Sequence, residues 1–142
     1  IEISGAHLRY DETDPIAVNI SGNHYIDGDI HKITYVEEAQ GFDEIILNTI
    51  IVKKNRVEII KEGVVNSKMV FANNSRFKVT YDTPFGRLNM ETETKLLLID
   101  MNKDEINIYI EYILYIEGDR ASNSKMRIHI VEAVDRVDNK GG

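Results

Sequence analysis

Residues 76–93, RFKVTYDTPFGRLNMETE, contain the clearest structural pattern in the chain. Within them, Thr83-Pro84-Phe85-Gly86 has proline second and glycine fourth, which is typical of a type I turn. A hairpin folded about that turn places opposite charges together on one face: Asp82–Arg87, Lys78–Glu91 and Arg76–Glu93. Its other face carries mostly apolar pairs: Tyr81–Leu88, Val79–Met90 and Phe77–Thr92. Because a one-residue slip would mix these faces, we predict an antiparallel hairpin with Lys78 opposite Glu91.

The same alternation of apolar and polar residues recurs along most of the chain. The sequence has 21 Ile, 11 Val and 7 Thr, whereas Leu and Ala together number only 13. Branched side chains favour a pleated sheet, and the best helical candidate, Val131–Val137, is short and weak. We therefore predict nine or ten strands, which cover Ile1–Leu8, Ile16–Asp27, Ile30–Glu38, Glu44–Lys53, Arg56–Glu62, Val64–Ala72, Arg76–Asp82, Arg87–Ile99, Glu105–Glu117 and Lys125–Val134.

Keeping the apolar faces in phase also predicts how the hairpin joins the strand before it. A three-residue loop over Asn73–Ser75 would pair Phe71 with Phe77 and continue the apolar face with Met69 opposite Val79. Such a loop needs one residue with left-handed backbone, which Asn tolerates better than most residues.

A second apolar face runs through the later strands, where alternate residues from Ile106 to Ile116 are apolar. Pairing Glu117 with Lys125 would place this row against the apolar residues of the last strand, with Tyr112 opposite Ile130. Because Tyr112 lies in the middle of the row, we predict that its ring is mostly buried.

Consecutive antiparallel strands leave two unpaired sheet edges, and closure into a barrel removes them. The sequence shows no alternation of strands with helices, so a parallel sheet is not expected. We therefore predict an all-β fold, an antiparallel up-and-down β-barrel that occupies residues 1–142 as a single domain.

Charge and composition restrict the partners. The net charge is −7 and the isoelectric point is near 5.1, which argues against nucleic acid and anionic membranes because both require clustered cations. The longest apolar runs are only a few residues, such as Leu96–Ile99, so no membrane span is expected. The absence of Cys fits a cytoplasmic protein.

Several motifs occur in order along the chain: Gly22-Asn23-His24-Tyr25, Tyr35-Val36-Glu37-Glu38, Tyr81 with Pro84-Phe85-Gly86, and the strand through Met90 and Thr94. Together they resemble the YwiB-like family of bacterial proteins, a domain of unknown function. The resemblance covers most of the chain and is weakest in the first strand and after Val134. It implies a lipocalin-like (calycin) β-barrel and a Gram-positive source, and it supplies no catalytic residues.

Residues suited to catalysis or metal binding are scarce. The chain has no Cys, no nucleophile elbow around a Ser and no Gly-rich phosphate loop. Asp100-x-Asn102-x-Asp104 imitates a calcium loop, but Glu105 stands where such a loop requires Gly, so a polar hairpin is the preferred interpretation. His24 has the inward phase, which more often marks a core residue than a ligand. We expect no enzyme, no metal and no cofactor.

Two charged residues, Glu37 and Lys61, share the inward phase of their strands. Glu37, the inward member of Glu37–Glu38, is either a site carboxylate with a raised pKa or, as we prefer, a rim residue that meets water. Lys61 lies at a strand end, where its ammonium can reach water. The cations of the later strands have the outward phase, so we predict that any bound ligand is neutral or weakly polar.

The predicted interior is apolar with several hydroxyl groups. Its candidate ligand-binding residues are Tyr35, Met69, Phe71, Tyr81, Met90, Thr92, Thr94 and Tyr112. The sequence thus favours a protein that binds a small, neutral, hydrophobic or amphipathic molecule. The alternative is a structural or protein-interaction module with a packed barrel, for which outward apolar residues (Leu97, Ile113, Val131) would supply a partner surface or a homodimer face.

Overall fold

The computed structural model describes residues 2–12, 18–39, 41, 43–102 and 105–132. Its strands are β1 (Glu2–Glu12), β2 (Val18–Asp27), β3 (Ile30–Ala39), β4 (Glu44–Val52), β5 (Val57–Gly63), β6 (Ser67–Phe71), β7 (Arg76–Thr83), β8 (Gly86–Met101), β9 (Glu105–Ile116) and β10 (Asp119–Glu132). All ten belong to one antiparallel sheet in the order β6-β5-β4-β3-β2-β1-β10-β9-β8-β7. The predicted all-β, antiparallel fold is confirmed. The described residues include no helix, and so none long and apolar enough to cross a membrane.

One face of the sheet, here called the inner face, carries the hydrophobic core. Alternate residues of the strands place Ile and Val side chains there, and Phe71 is the largest fully buried side chain among the residues whose burial is described. The rings of Phe71 and Tyr112 meet edge to face with centroids 5.0 Å apart. Tyr112 is only 6% exposed, which confirms the prediction from its place in the apolar row.

The hairpin of β7 and β8 has the predicted register, with Lys78 opposite Glu91. The loop before it also has the predicted left-handed residue, Asn74, with φ of 57°. The predicted ladder from Phe71 and Phe77 onward is absent, however, because backbone groups of this loop bond to β8. Asn74 donates its N–H to the Thr94 carbonyl over 3.1 Å, and Thr94 donates to the Ser75 carbonyl over 2.9 Å.

The two edge strands, β6 and β7, therefore meet without a continuous ladder in the described chain. Asn66, just before β6, and Asp82 of β7 exchange two backbone hydrogen bonds of 2.9 Å in an isolated bridge. Further along, the Thr92 hydroxyl donates to the Val70 carbonyl over 3.3 Å. The sheet thus curls until its edges touch, but the ladder expected of an up-and-down barrel does not form between them.

The register predicted for the last hairpin is wrong by six residues. Lys125 pairs with Glu111 rather than Glu117, because β10 begins at Asp119, directly after a turn at Glu117 and Gly118. Both turn residues have positive φ (49° and 87°), which suits a tight hairpin. Because the register differs from the prediction by an even number of residues, the same side chains of β10 still face inward. A bulge at residues 120–122 brings the polar start of β10 into the register of the rest of the ladder.

Another bulge, between Thr94 and Leu96, reverses the alternation of β8. Leu97 was predicted to face outward, but it is 4% exposed and belongs to the core cluster, whereas Leu98 is 53% exposed. A bulge adds one unpaired residue, so every later side chain changes face. Ile113 was also expected on the outer surface and is instead buried. Neither residue supplies the apolar outer surface that the alternative function requires.

Other strand ends differ from prediction for local reasons. β6 begins at Ser67 rather than Val64 because the Asn66 amide bonds both the N–H and the carbonyl of Gly63 and turns the chain. β1 continues to Glu12 through the polar residues after Leu8. Val131 and Glu132 belong to β10 rather than to a helix. The remainder of the predicted Val131–Val137 helix lies outside the described residues.

The loop between β8 and β9 is a polar hairpin, as preferred. Asn102 donates its N–H to the Glu105 carbonyl over 3.0 Å and accepts the Glu105 N–H through its side-chain oxygen over 3.2 Å. Asp104 of the rejected calcium motif lies outside the described residues. Among the residues that are described, no three His, Cys, Asp or Glu side chains are grouped closely enough to hold a metal ion.

Candidate functional site

Polar residues line one row of the inner face. Tyr35, Asn48, Lys61 and Ser67 are direct cross-strand neighbours on β3, β4, β5 and β6. Residues opposite one another in a ladder project to the same face, so the four side chains form a continuous line. Tyr35, Asn48 and Ser67 are buried. Glu37, two residues beyond Tyr35, shares this face.

Glu37, Asn48 and Lys61 form a hydrogen-bonded cluster, here called the polar triad. The Lys61 ammonium donates to Glu37 Oε1 over 2.6 Å and to Asn48 Oδ1 over 2.9 Å. Asn48 Nδ2 donates to the same Glu37 oxygen over 2.9 Å. Asn48 is fully buried, whereas the side chains of Lys61 and Glu37 are 30% and 40% exposed. The triad therefore consists of two partly exposed, opposite charges, both of which are hydrogen-bonded to the buried amide of Asn48.

The triad changes the expected electrostatics of Glu37. Burial alone would raise the pKa of the carboxyl group, but hydrogen bonds from Lys61 and Asn48, together with the Lys61 charge, outweigh it and lower the pKa. The alternative of a site carboxylate with a raised pKa is therefore wrong, and Glu37 is an ionised partner of Lys61. Its partial exposure agrees with the preferred interpretation as a rim residue.

Two hydroxyl groups also lie on the inner face, on β8, which is separated from the triad strands in the sheet order. Thr92 and Thr94 are both fully buried. Thr92 donates to a backbone carbonyl, whereas Thr94 Oγ1 has no hydrogen-bond partner among the described residues. Leaving a buried hydroxyl unpaired costs about 1–3 kcal/mol, so the Thr94 hydroxyl destabilises the fold unless a further group bonds to it.

The predicted lining residues differ in burial. Five of them are buried: Tyr35, Phe71, Thr92, Thr94 and Tyr112. Three are half-buried: Met69, Tyr81 and Met90. Met69 packs against the core cluster, which also contains Tyr35, Phe71 and Tyr112. The sequence analysis did not select Asn48, although its position between Ile46 and Ile50 in the same phase was a usable signal.

A pair of histidines on β2 and β3 was also missed. His24 Nε2 and His31 Nδ1 are 2.8 Å apart and share one hydrogen bond. His24 lies opposite Ile33, and His31 lies opposite Ile26, so the two rings are diagonal neighbours on one face. Burial lowers the pKa of both rings; His31 lowers that of His24 further, while Asp29 partly offsets the effect at His31.

The histidine pair should make stability fall in mild acid. Both folded-state pKa values lie below the ordinary value of 6.5, so the unfolded chain takes up protons first. The free energy of unfolding should therefore be highest above pH 6.5 and decrease as the pH falls toward the lowered values. Urea denaturation between pH 5 and pH 8 measures this slope. The double variant His24→Gln/His31→Gln should flatten it; an equal slope in the double variant would contradict the assignment.

These features define an all-β protein built on one curled antiparallel sheet with a polar triad on its inner face. The chain belongs to the family described as "Domain of unknown function (DUF1934)", whose model matches residues 1–128. The crystal structure of the ywiB protein from Bacillus subtilis is similar, with a TM-score of 0.76 and 19% sequence identity over 93% of this chain and 94% of that one. No curated protein matches. The resemblance to the YwiB-like family is confirmed, and at this identity the structural similarity concerns the fold.

Proposed function

We propose that the inner face, in a lipocalin-like barrel, binds a small neutral hydrophobic or amphipathic molecule and catalyses no reaction. The unpartnered hydroxyl of buried Thr94 carries this proposal. Valine has nearly the same shape and no polar atom, so a core that served packing alone would be more stable with valine there. A bound molecule with one polar atom would satisfy the hydroxyl, and the aromatic rings of Phe71 and Tyr112 would contact its apolar part.

Contacts between the sheet edges support the lipocalin-like form. Asn66 and Asp82 join the edges at one end, and the Thr92 hydroxyl reaches the Val70 carbonyl farther along. The Asn73 side chain exchanges two hydrogen bonds with the Leu97 backbone, of 2.7 and 3.0 Å, much as a neighbouring strand would. Side chains and loop backbone thus join the two edges where the ladder is missing, which supports this form.

Titration with the neutral fluorophore N-phenyl-1-naphthylamine, followed by displacement with decanol, tests the proposal. We expect saturable binding with one molecule per chain. Replacing Thr94 with valine should weaken decanol binding about fivefold, because a hydrogen bond contributes about 1 kcal/mol, and should leave binding of the apolar fluorophore unchanged. Thr80→Val, at an exposed position of β7, is the matched control. Absence of saturable binding would overturn the proposal.

A second candidate function, protein interaction, is favoured by an exposed apolar patch on the outer face. Val36 and Leu47 are directly paired on β3 and β4, and Ile45 lies one pair farther along the same surface. All three are exposed. A homodimer in light scattering that Ile45→Lys converts to monomer, combined with no fluorophore binding, would favour this role over ligand binding.

A further inference from the structure

We propose that the polar triad selects the head group of the bound molecule, and that this head group is uncharged and both donates and accepts hydrogen bonds, as a primary carboxamide does. The inference rests on the proposed ligand-binding function and extends it from the apolar part of the ligand to its polar end. The observation behind it is that Lys61 and Glu37 lie side by side on the inner face, partly exposed, with fully buried Asn48 bonded to both.

The triad retains hydrogen-bonding capacity for a ligand. A lysine ammonium has three N–H donors, and Lys61 uses two of them on Glu37 and Asn48. Both bonds to the Glu37 carboxylate end on Oε1, so Oε2 accepts no hydrogen bond from the described residues. The Asn48 amide is occupied on both its oxygen and its nitrogen. One donor and one acceptor therefore remain, on the two exposed members.

The charges of the triad favour a neutral head group. The ammonium and carboxylate are 2.6 Å apart, so their charges nearly cancel for any group that binds beside both. A carboxylate head would be attracted by Lys61 but repelled by Glu37, and an amine head would meet the reverse. A carboxamide can accept from Lys61 through its oxygen and donate to Glu37 through its nitrogen without disturbing the ion pair.

The position of the triad connects it to the core. Lys61 lies between Asn48 and Ser67 in the polar row, and the next inward row, two residues along each strand, carries Ile33, Ile50 and Ile59 of the core cluster. These three isoleucines are only 0–5% exposed, so the chain of a molecule whose head reaches Lys61 and Glu37 contacts them only by parting this packing. The inner face thus carries charged and apolar side chains in adjacent rows, the order that an amphipathic ligand requires.

Displacement of N-phenyl-1-naphthylamine by decanamide, decanoate and decylamine at pH 7.5 tests the inference on the full chain. We expect decanamide to bind at least tenfold more tightly than either charged compound. Glu37→Gln removes the negative charge and should strengthen decanoate binding about tenfold. Lys61→Met removes the positive charge and should strengthen decylamine binding by a similar factor. Glu38→Gln and Lys54→Met, at exposed positions, should leave the order of the three compounds unchanged.

The outcomes separate the two proposals. Equal affinity for the three compounds with the fluorophore still bound would overturn the head-group inference and leave the ligand-binding proposal standing. Variants that weaken all three compounds equally would show a merely structural triad and also overturn it. Absence of fluorophore binding to the unaltered protein would overturn both. If a variant fails to fold by circular dichroism, the head-group preference of the unaltered protein decides alone.

Discussion

Replacing Phe71 with alanine is expected to lower the free energy of unfolding by about 3–5 kcal/mol, the usual cost of truncating a buried phenylalanine. The side chain is fully buried and meets the Tyr112 ring at 5.0 Å, so its removal takes away both apolar burial and an aromatic contact. Urea denaturation followed by circular dichroism measures the change through the midpoint, provided that the slope stays constant.

The chain offers a matched control at the turn of the β7–β8 hairpin. Phe85 is 89% exposed, and its replacement by alanine should change stability by less than about 0.5 kcal/mol. A loss below about 1 kcal/mol for Phe71→Ala would mean that the core collapses into the vacated space, contrary to the close packing of protein interiors.

The second large effect is expected at Gly22 on β2. A Cβ atom there would lie 2.3 Å from the Thr34 carbonyl oxygen and 3.2 Å from the Tyr35 Cβ, both on the neighbouring strand. Because the closest atom belongs to the backbone, β3 would have to move away. We expect Gly22→Val to cost about 3 kcal/mol, at the upper end of the usual range for overpacking.

The next residue serves as the comparison for Gly22. Asn23 is exposed, and Asn23→Val introduces the same side chain where valine is favourable in a strand, so stability should change by less than about 0.5 kcal/mol. Thermal unfolding of both variants by circular dichroism provides the measurement. Equal melting temperatures for the two variants would show that β3 accommodates the methyl groups without strain.

Local rules predicted the parts of the fold that depend on neighbouring residues. The register of Lys78 opposite Glu91 followed from the turn at Pro84-Phe85 and from matched charges, all within one hairpin. Burial of Tyr112 followed from simple alternation. At the first place turn chemistry and side-chain period agree. At the second the period alone was sufficient, because the six-residue error in register left the faces unchanged.

Irregular features of the backbone were not predictable from the same rules. The bulge between Thr94 and Leu96 lies directly before an apolar run in which Leu96, Leu97 and Leu98 are chemically alike, so nothing in the residue types reveals which one faces inward. The tight turn at Glu117 and Gly118 lies among further polar residues that looked like a longer loop. Such choices are decided by neighbouring strands rather than by local propensity.

The polar triad illustrates the same limit for the site. Lys61 and Glu37 are 24 residues apart, and their contact depends on β4 lying between β3 and β5 with Asn48 in register with Lys61. The sequence placed both charges on the inward phase and predicted their access to water. It could not show that they pair, because pairing depends on tertiary register.

The position of β1 in the sheet leads us to expect a particular order of strand assembly during folding. Every other ladder joins strands that follow one another along the chain, but β1 pairs with β10 as well as with β2. Local hairpins form early, whereas a contact between the two ends of the chain must first overcome the entropy of closing the whole loop. Two meanders, β1 to β6 and β7 to β10, are therefore expected to assemble first. We therefore expect the β1–β10 pairing, near the centre of the finished sheet, to form last and to limit the folding rate.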